Sequence, residues 1–183
     1  MNAMVETING AVTVNLTDSQ VEWCREHAQK TKEHHDNTGT GVYTHNRLFG
    51  AIVGARCEVA AEVYLTRLYQ SMETNYRGDI DNPDIELKEK PIEVKGLRGE
   101  DWDELKRMVP PKQLEKYVSK GSILLWLTTE AQNKVIIRGW NFAADVASKG
   151  EEIKTICDNV WLKEDSDMRS LDTLAGALRG DWE

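Results

Sequence analysis

Polar Thr17-Asp18-Ser19-Gln20 is followed by Val21, Cys24 and Ala28 at helical spacing, and between Asn46 and Gln70 the apolar residues Leu48, Ile52, Val59 and Val63 recur with their aliphatic neighbours at intervals of three and four. Such intervals line one face of a helix, because a turn takes about 3.6 residues. Two helices are therefore expected, the second the longest element of the chain. The first opens on a capping box, a hydroxyl at the N-cap with Gln three positions on, and should end before the turn formers Asp36-Asn37-Thr38-Gly39-Thr40-Gly41.

Around Ile85 the period changes to two. Ile85-Glu86-Leu87-Lys88 and Ile92-Glu93-Val94-Lys95 alternate apolar and charged residues, as strands with one buried face do, and Glu89, Lys90 and Pro91 would make the hairpin between them. Upstream, Asn75 to Pro83 reads as a turn or short strand with a tight exit; downstream, Gly96 to Gly99 reads as a loop and Asp101 to Met108 as one or two helical turns. Pro110-Pro111 should start a helix running to about Val118, closed by Gly121. The apolar run Ile123 to Thr129 reads as a strand buried on both faces, and Val135-Ile136-Ile137 as its partner across a turn at Gln132-Asn133. Residues 1 to 15 are weakly patterned, a strand or a loose tail. From Glu151 onward only Leu171 to Leu178 shows a helical face, so that tail is expected on the surface. Helix, strands, helix, strands in one chain is the order of an α/β core around a mixed sheet flanked by helices.

With 183 residues, 40% hydrophobic and 30% charged, the chain fits one globular domain over 1–183, with a core at about 46–146, an N-terminal helical extension at 16–35 and an acidic C-terminal extension at 150–183. No apolar run is long enough to span a membrane. Cys24, Cys57 and Cys157 are odd in number and far apart, which suggests neither a disulfide framework nor a zinc ribbon, and the N-terminus has no secretory pattern. A cytoplasmic setting is expected. The net charge of −8 argues against coating nucleic acid by bulk charge but leaves room for a local site that handles DNA through metal ions. The acids are unevenly spread: residues 88 to 120 carry nine bases and seven acids, a net of +2, whereas residues 150 to 183 carry four bases and nine acids, a net of −5.

The chemistry concentrates in Pro83-Asp84 and Glu93-Val94-Lys95. Positions i and i+2 of a strand share a face, so Glu93 and Lys95 project together, and Asp84 at the mouth of the preceding strand can sit opposite them once the hairpin closes. Two carboxylates and an ammonium on one face suit a hard divalent cation such as Mg2+, which takes a few carboxylate oxygens and keeps waters for a phosphate oxygen and a nucleophile. Asp79 and Asp81 lie just upstream, and a different strand start would bring either to the position of Asp84. The bland reading is a hairpin with an exposed charged face.

Glu58 has Ala51, Gly54, Ala55, Ala61 and Leu65 among its helical neighbours, a surround in which a carboxylate is costly unless a cation pairs it; otherwise it reaches solvent or pairs with Arg56. Gln113 and Tyr117 share a helical face, with Lys112, Lys116 and Lys120 as an adjacent basic stripe; alternatively this is an amphipathic helix with Tyr117 packed and its lysines in solvent. His27, His34, His35 and Cys24 read as a solvated helix end, and Trp102, Trp126, Trp140 and Trp161 as core or rim residues. No phosphate-cradling glycine loop and no nucleophile elbow is present.

Taken in order, Glu58 on a helix, Pro83-Asp84, the Glu93-x-Lys95 triplet, a following helix and an apolar strand resemble the PD-(D/E)XK nuclease superfamily, over roughly Leu48 to Ile137. The resemblance implies a restriction-endonuclease-like core: a helix, a three-stranded meander, a second helix and a further strand. It implies Asp84, Glu93, Glu58 and the carbonyl of Val94 as metal ligands, Lys95 as catalytic lysine, and Mg2+, with Mn2+ as a substitute. Gln113-Leu114-Glu115-Lys116-Tyr117 resembles the QxxxY motif of the RecB-like branch, which puts Gln113 near the active site. Its short length and capped N-terminal helix also resemble small phage-encoded nucleases. The implied function is Mg2+-dependent hydrolysis of DNA by a metal-activated water, with Lys112, Lys116, Lys120 and Tyr117 against the nucleic acid and a homodimer among the possible assemblies. The alternative is a catalytically silent nucleic-acid or protein binding module on the same fold.

Overall fold

The computed structural model describes residues 3–38, 47–68, 73–74, 83–87, 89–154 and 157–180. In chain order its elements are β1 (Met4–Ile8), β2 (Ala11–Asn15), α1 (Asp18–Thr38), α2 (Arg47–Leu68), β3 (Glu73–Thr74), β4 (Ile85–Leu87), β5 (Lys90–Arg98), α3 (Trp102–Leu105), β6 (Met108–Val109), α4 (Pro111–Ser119), β7 (Ile123–Thr129), β8 (Lys134–Phe142), α5 (Ala143–Lys149), β9 (Glu151–Lys154), β10 (Asp158–Trp161) and α6 (Leu174–Arg179). Seven strands form the central sheet in the order β1-β2-β8-β7-β5-β4-β3, and β6-β10-β9 form a small second sheet. Neighbours in the central sheet are antiparallel except β5 and β7, which run parallel from Ile92 opposite Ile123 to Arg98 opposite Thr129. Parallel neighbours need a long crossover, and the segment carrying α4 supplies it. The molecule is thus α/β, with a mixed sheet flanked by helices.

The two faces of the sheet are covered differently. Ile85, Leu87, Ile92, Ile123, Leu125 and Leu127 pack with Cys57, Ala60, Ala61 and Leu65 of α2, while Cys24 of α1 joins the same cluster. On the other face Leu124 and Trp126 of β7 pack with Leu114 of α4, Val146 of α5, Val109 of β6 and Leu162. Every residue from Ile123 to Leu127 is at most 1% exposed, as expected of a strand covered on both sides.

Several local expectations hold. The Thr17 backbone N–H donates to Gln20 Oε1 at 2.9 Å and the Gln20 N–H to Thr17 Oγ1 at 3.3 Å, so the capping box is formed. Gly121 takes φ 65°, and its N–H and that of Ser122 close α4 on the carbonyls of Val118 and Tyr117. Elsewhere the elements differ from expectation. Helix α1 continues to Thr38, with Lys32 paired to Asp36 at 2.5 Å and the Thr38 hydroxyl bonded back to the His34 carbonyl at 2.8 Å. Residues 4 to 15 are a β-hairpin turning through Asn9 (φ 51°) and Gly10 (φ 79°), the left-handed pair a two-residue turn requires. Strand β5 runs through Gly96 to Arg98, where a loop is expected, because a Cβ at Gly96 would lie 2.6 Å from Cys57 Sγ: the glycine admits α2 against the strand.

The acidic C-terminal segment is not a surface tail. Leu162, Leu171, Leu174, Ala177 and Leu178 are all at most 4% exposed, and β10 pairs with β6 on one side and β9 on the other. Arg107, 1% exposed, donates to the carbonyls of Leu162 and Lys163 and to Asp165, and Arg169 grips Asp145 of α5 through two bonds of 2.7 and 3.1 Å. Acids face outward while separated leucines face in. Among the described residues no helix is long and apolar enough to cross a membrane.

Candidate active site

Strand β4 pairs with β5 from Leu87 opposite Lys90 to Ile85 opposite Ile92, and the turn passes through Glu89 at φ 64°. Continuing that register by one residue sets Asp84 opposite Glu93, and antiparallel partners point to the same face. Strand alternation then sorts β5: Ile92, Val94 and Gly96 face α2, whereas Glu93 and Lys95 face α4. The hairpin thus brings Asp84, Glu93 and Lys95 together, as the sequence spacing predicts. Asp84 Oδ2 accepts the Val94 N–H at 2.7 Å, which ties the entry of β4 to the centre of β5.

Helix α4 closes the group from above. Lys95 Nζ donates to Tyr117 Oη at 2.7 Å and lies 3.4 Å from Gln113 Oε1; the Tyr117 hydroxyl is 3.3 Å from the same Gln113 oxygen and is also hydrogen-bonded to Glu93. The ammonium sits 4.6 Å from the Tyr117 ring centroid, so its charge meets both the phenol oxygen and the ring. Residues 113, 117 and 120 fall at i, i+4 and i+7 of one helical stripe, and the charge of Lys120 reaches Glu93 from the end of α4. Lys112 and Lys120 are exposed and Lys116 is half-buried, an accessible basic flank beside the group.

Glu93 is only 6% exposed. Burial, reinforced by the neighbouring Asp84 carboxylate, pushes its pKa up to about 7 against the opposing pull of Lys95, the Tyr117 hydrogen bond and Lys120. Tyr117 is held well above the ordinary phenol range, first by burial and then by Glu93 and Asp84. A divalent cation beside these two facing carboxylates would offset their mutual repulsion.

The donors fit such a cation. The N–H and C=O of one strand residue point to the same strand edge, so the Val94 carbonyl shares the edge on which its N–H meets Asp84. Asp84, Glu93 and that carbonyl offer oxygen only, a set suited to Mg2+ retaining several waters. Among the described residues no three Asp, Glu, His or Cys side chains gather as a metal cage. Glu58 is half-buried on α2, and its charge acts on Cys24 and Cys57. Asp79 and Asp81 lie outside the described residues.

No family model, curated protein or solved structure matches this chain. The site therefore speaks through its own geometry. Spacing foretells the Asp84, Glu93 and Lys95 group and the approach of Gln113 and Tyr117. The entry of Lys120 into the field of Glu93 is missed by a reading that assigns it to a separate basic stripe; the signal available was its i+7 spacing from Gln113.

Proposed function

We propose that the chain is a divalent-metal-dependent deoxyribonuclease of the PD-(D/E)XK type, which hydrolyses a phosphodiester bond of DNA in the cytoplasm by attack of a metal-activated water. The observation that carries this reading is the Lys95 ammonium, fixed by Tyr117 and Gln113 on the same face as Glu93 with Asp84 opposite. An exposed hairpin with ordinary charges would not bury a carboxylate to 6% or aim a lysine at two neutral oxygens. The element order supports it as well: α2, the antiparallel β3-β4-β5 meander, α4 and the parallel strand β7 follow the sequence of elements of the restriction-endonuclease-like core.

Asp84, Glu93 and the Val94 carbonyl would hold the ion, which when bound supplies Lewis acidity toward a phosphate oxygen and toward water. Lys95 donates hydrogen bonds only, so at the scissile group it orients the attacking water through its oxygen and offsets charge that develops on the non-bridging phosphate oxygens. Tyr117 and Gln113 act through Lys95: two acceptors keep its ammonium over the strand face rather than in solvent. Lys112, Lys116 and Lys120 offer cations to flanking phosphates, although a net charge of −8 keeps metal-free DNA binding modest.

Plasmid cleavage with Mg2+ or Mn2+ tests this with wild type, Lys95→Ala and Glu93→Ala. Each substitution should cost roughly a hundredfold to a thousandfold, the usual loss for one preorganised charge at a reacting phosphate. Equal activity in all three would overturn the mechanism, and calorimetry showing DNA binding with no uptake of either metal would favour a silent binding module.

A further inference from the structure

We propose that Phe49, Arg56 and Arg98 form a pocket that receives one unpaired nucleotide of single-stranded DNA flanking the scissile phosphate; this rests on the nuclease reading and names its substrate class. The pocket, about 420 Å3, opens at the carboxyl ends of the parallel strands β5 and β7, between the N-terminal half of α2 and residues 129–131. Ligands of α/β sheets collect at this end of the strands, and the volume lies within the range of small-molecule sites.

Three observations assign the ligand. Phe49 is a large apolar side chain left 42% exposed, and the Arg98 guanidinium lies 5.7 Å from its ring centroid, so an aromatic–cation pair lines the pocket. Bases stack on such platforms without regard to sequence, but only when unstacked from a duplex. Arg98 is held in place by Asp101 at 2.5 and 2.9 Å and by Glu100 at 2.6 Å, contacts that use three of its five N–H donors. Arg56 is the third: its Nε is buried with no acceptor, and among the described residues no carboxylate pairs with it. A half-desolvated guanidinium without a counter-anion is costly, and a phosphate oxygen on its outer nitrogens would offset that cost.

Charge alone would not select this ligand, because Glu100 and Glu130 line the same pocket, Glu100 paired with Arg98 and Glu130 with Arg138. Stacking therefore carries the recognition and a single phosphate contact orients it. Arg98 follows Lys95 by three residues on β5, roughly 10 Å along the strand and on its α2 side, so a nucleic-acid strand joining the active site to the pocket would cross the β5 edge. Among the described residues β4 pairs with β5 only as far as Ile92, so the β5 edge from Glu93 to Arg98 has no strand beside it on that side.

Fluorescence anisotropy with a labelled oligothymidylate and with a blunt duplex, both in EDTA, tests the pocket in wild type, Phe49→Ala, Phe49→Tyr and Arg56→Gln. Phe49→Ala should weaken single-strand binding about tenfold or more, the range for losing one base stack; Phe49→Tyr should bind like wild type, and duplex affinity should change less than twofold. Hydrolysis of bis(p-nitrophenyl) phosphate with Mn2+, a diester with no flanking nucleotide, should be equal in all four. Unchanged oligothymidylate binding in Phe49→Ala and Arg56→Gln overturns the pocket even if the protein cleaves DNA. Equal losses on the duplex, or displacement by inorganic phosphate at the concentration at which thymidylate fails to compete, also overturn it. Loss of single-strand binding in a protein that cleaves neither substrate leaves the pocket standing and removes the nuclease reading instead.

Discussion

The two faces of strand β5 are made from the same nine residues of backbone and behave as different materials. Toward α2, Ile92, Val94 and Gly96 meet Val53 and Cys57, with no charge in the cluster and one side chain omitted so that the helix can come closer. Toward α4, Glu93 and Lys95 sit in register with the buried Leu124 and Trp126 of β7, so charges occupy positions where packing alone would favour apolar residues. Along Ile92, Val94 and Gly96 the contacts contribute stability. On the second face, a carboxylate is kept under-solvated at a cost in stability, which is the pattern expected where a fold holds chemistry in place.

The largest effect should come from filling the gap on the packing face. A Cβ at Gly96 would lie 2.6 Å from Cys57 Sγ and 3.7 Å from Val53 Cγ1, so Gly96→Val must push α2 off the sheet. Overpacking of this kind costs about 3 kcal/mol, read as a lower urea midpoint at constant m. Metal-dependent cleavage per folded molecule should be kept, since Glu93 and Lys95 point the other way. The milder Gly96→Ala should be partly rescued by Cys57→Ala, which removes the opposing sulfur; strict additivity of the two would show that the helix, not the thiol, sets the spacing.

The chemical face should show itself in pH. Glu93 has a pKa of about 7 in the folded protein, against 4.5 for its ordinary value. Between those values the folded state keeps a proton that the unfolded chain has released, so Glu93's share of stability is present below pH 4.5 and lost as pH rises through 7. The loss by pH 8 should be on the order of 2 kcal/mol, allowing for relaxation around the buried group. Glu93→Gln should abolish that slope and be the more stable protein at pH 8 while losing catalysis. Mg2+ should restore stability to wild type at pH 8 and not to Glu93→Gln, because an ion that binds only the folded state stabilises it by mass action. Equal slopes in denaturation series of the two proteins would dissociate Glu93 from the charged corner.

The packing face was the easier one to read from sequence. Helix α2 declares itself through spacings of three and four, β7 through an unbroken apolar run, and the hairpin of β4 and β5 through strict alternation. What escaped has physical reasons. Gly96 and Gly99 look like a loop because a glycine required by a close helix contact is indistinguishable, in one sequence, from one required by a turn. Asn9-Gly10 is a strong hairpin signal, but Met4, Glu6, Thr7 and Ile8 of β1 are exposed, so no alternation accompanies it. The C-terminal segment buries Leu162, Leu171, Leu174 and Leu178 from short helices and irregular backbone, which leaves no period for the eye to find among its acids. The Asp84, Glu93 and Lys95 group was legible because it needs only one hairpin register.

A smaller effect separates the parts of the chemical face from one another. Tyr117→Phe keeps the ring under Lys95 and removes the oxygen that accepts from Nζ at 2.7 Å and bonds Glu93. One such bond is worth about 1 kcal/mol, so stability should move little. If the phenol positions Lys95, kcat should fall about tenfold with KM for DNA unchanged, since Lys95 keeps Gln113 only as a 3.4 Å contact. Gln113→Ala on the Tyr117→Phe background should then deepen the loss more than on wild type. A KM effect alone would instead make Tyr117 part of the DNA surface.

The smallest change belongs to the rim. Lys112 is exposed at the start of α4, one position from Gln113 and off the stripe that faces Glu93. Lys112→Ala should leave stability within about 0.5 kcal/mol, as surface substitutions do. If Lys112 meets a phosphate, the variant should bind DNA more weakly at every sequence, and the slope of log affinity against log salt should flatten by about 0.9. Lys120→Ala should flatten the slope by the same amount and in addition raise the metal concentration needed for half-maximal cleavage or shift the pH profile, because its charge acts on Glu93 as well as on DNA. Two lysines on one helix that differ in this way would draw the boundary of the active site along α4; two that behave alike would move Lys120 out to the rim.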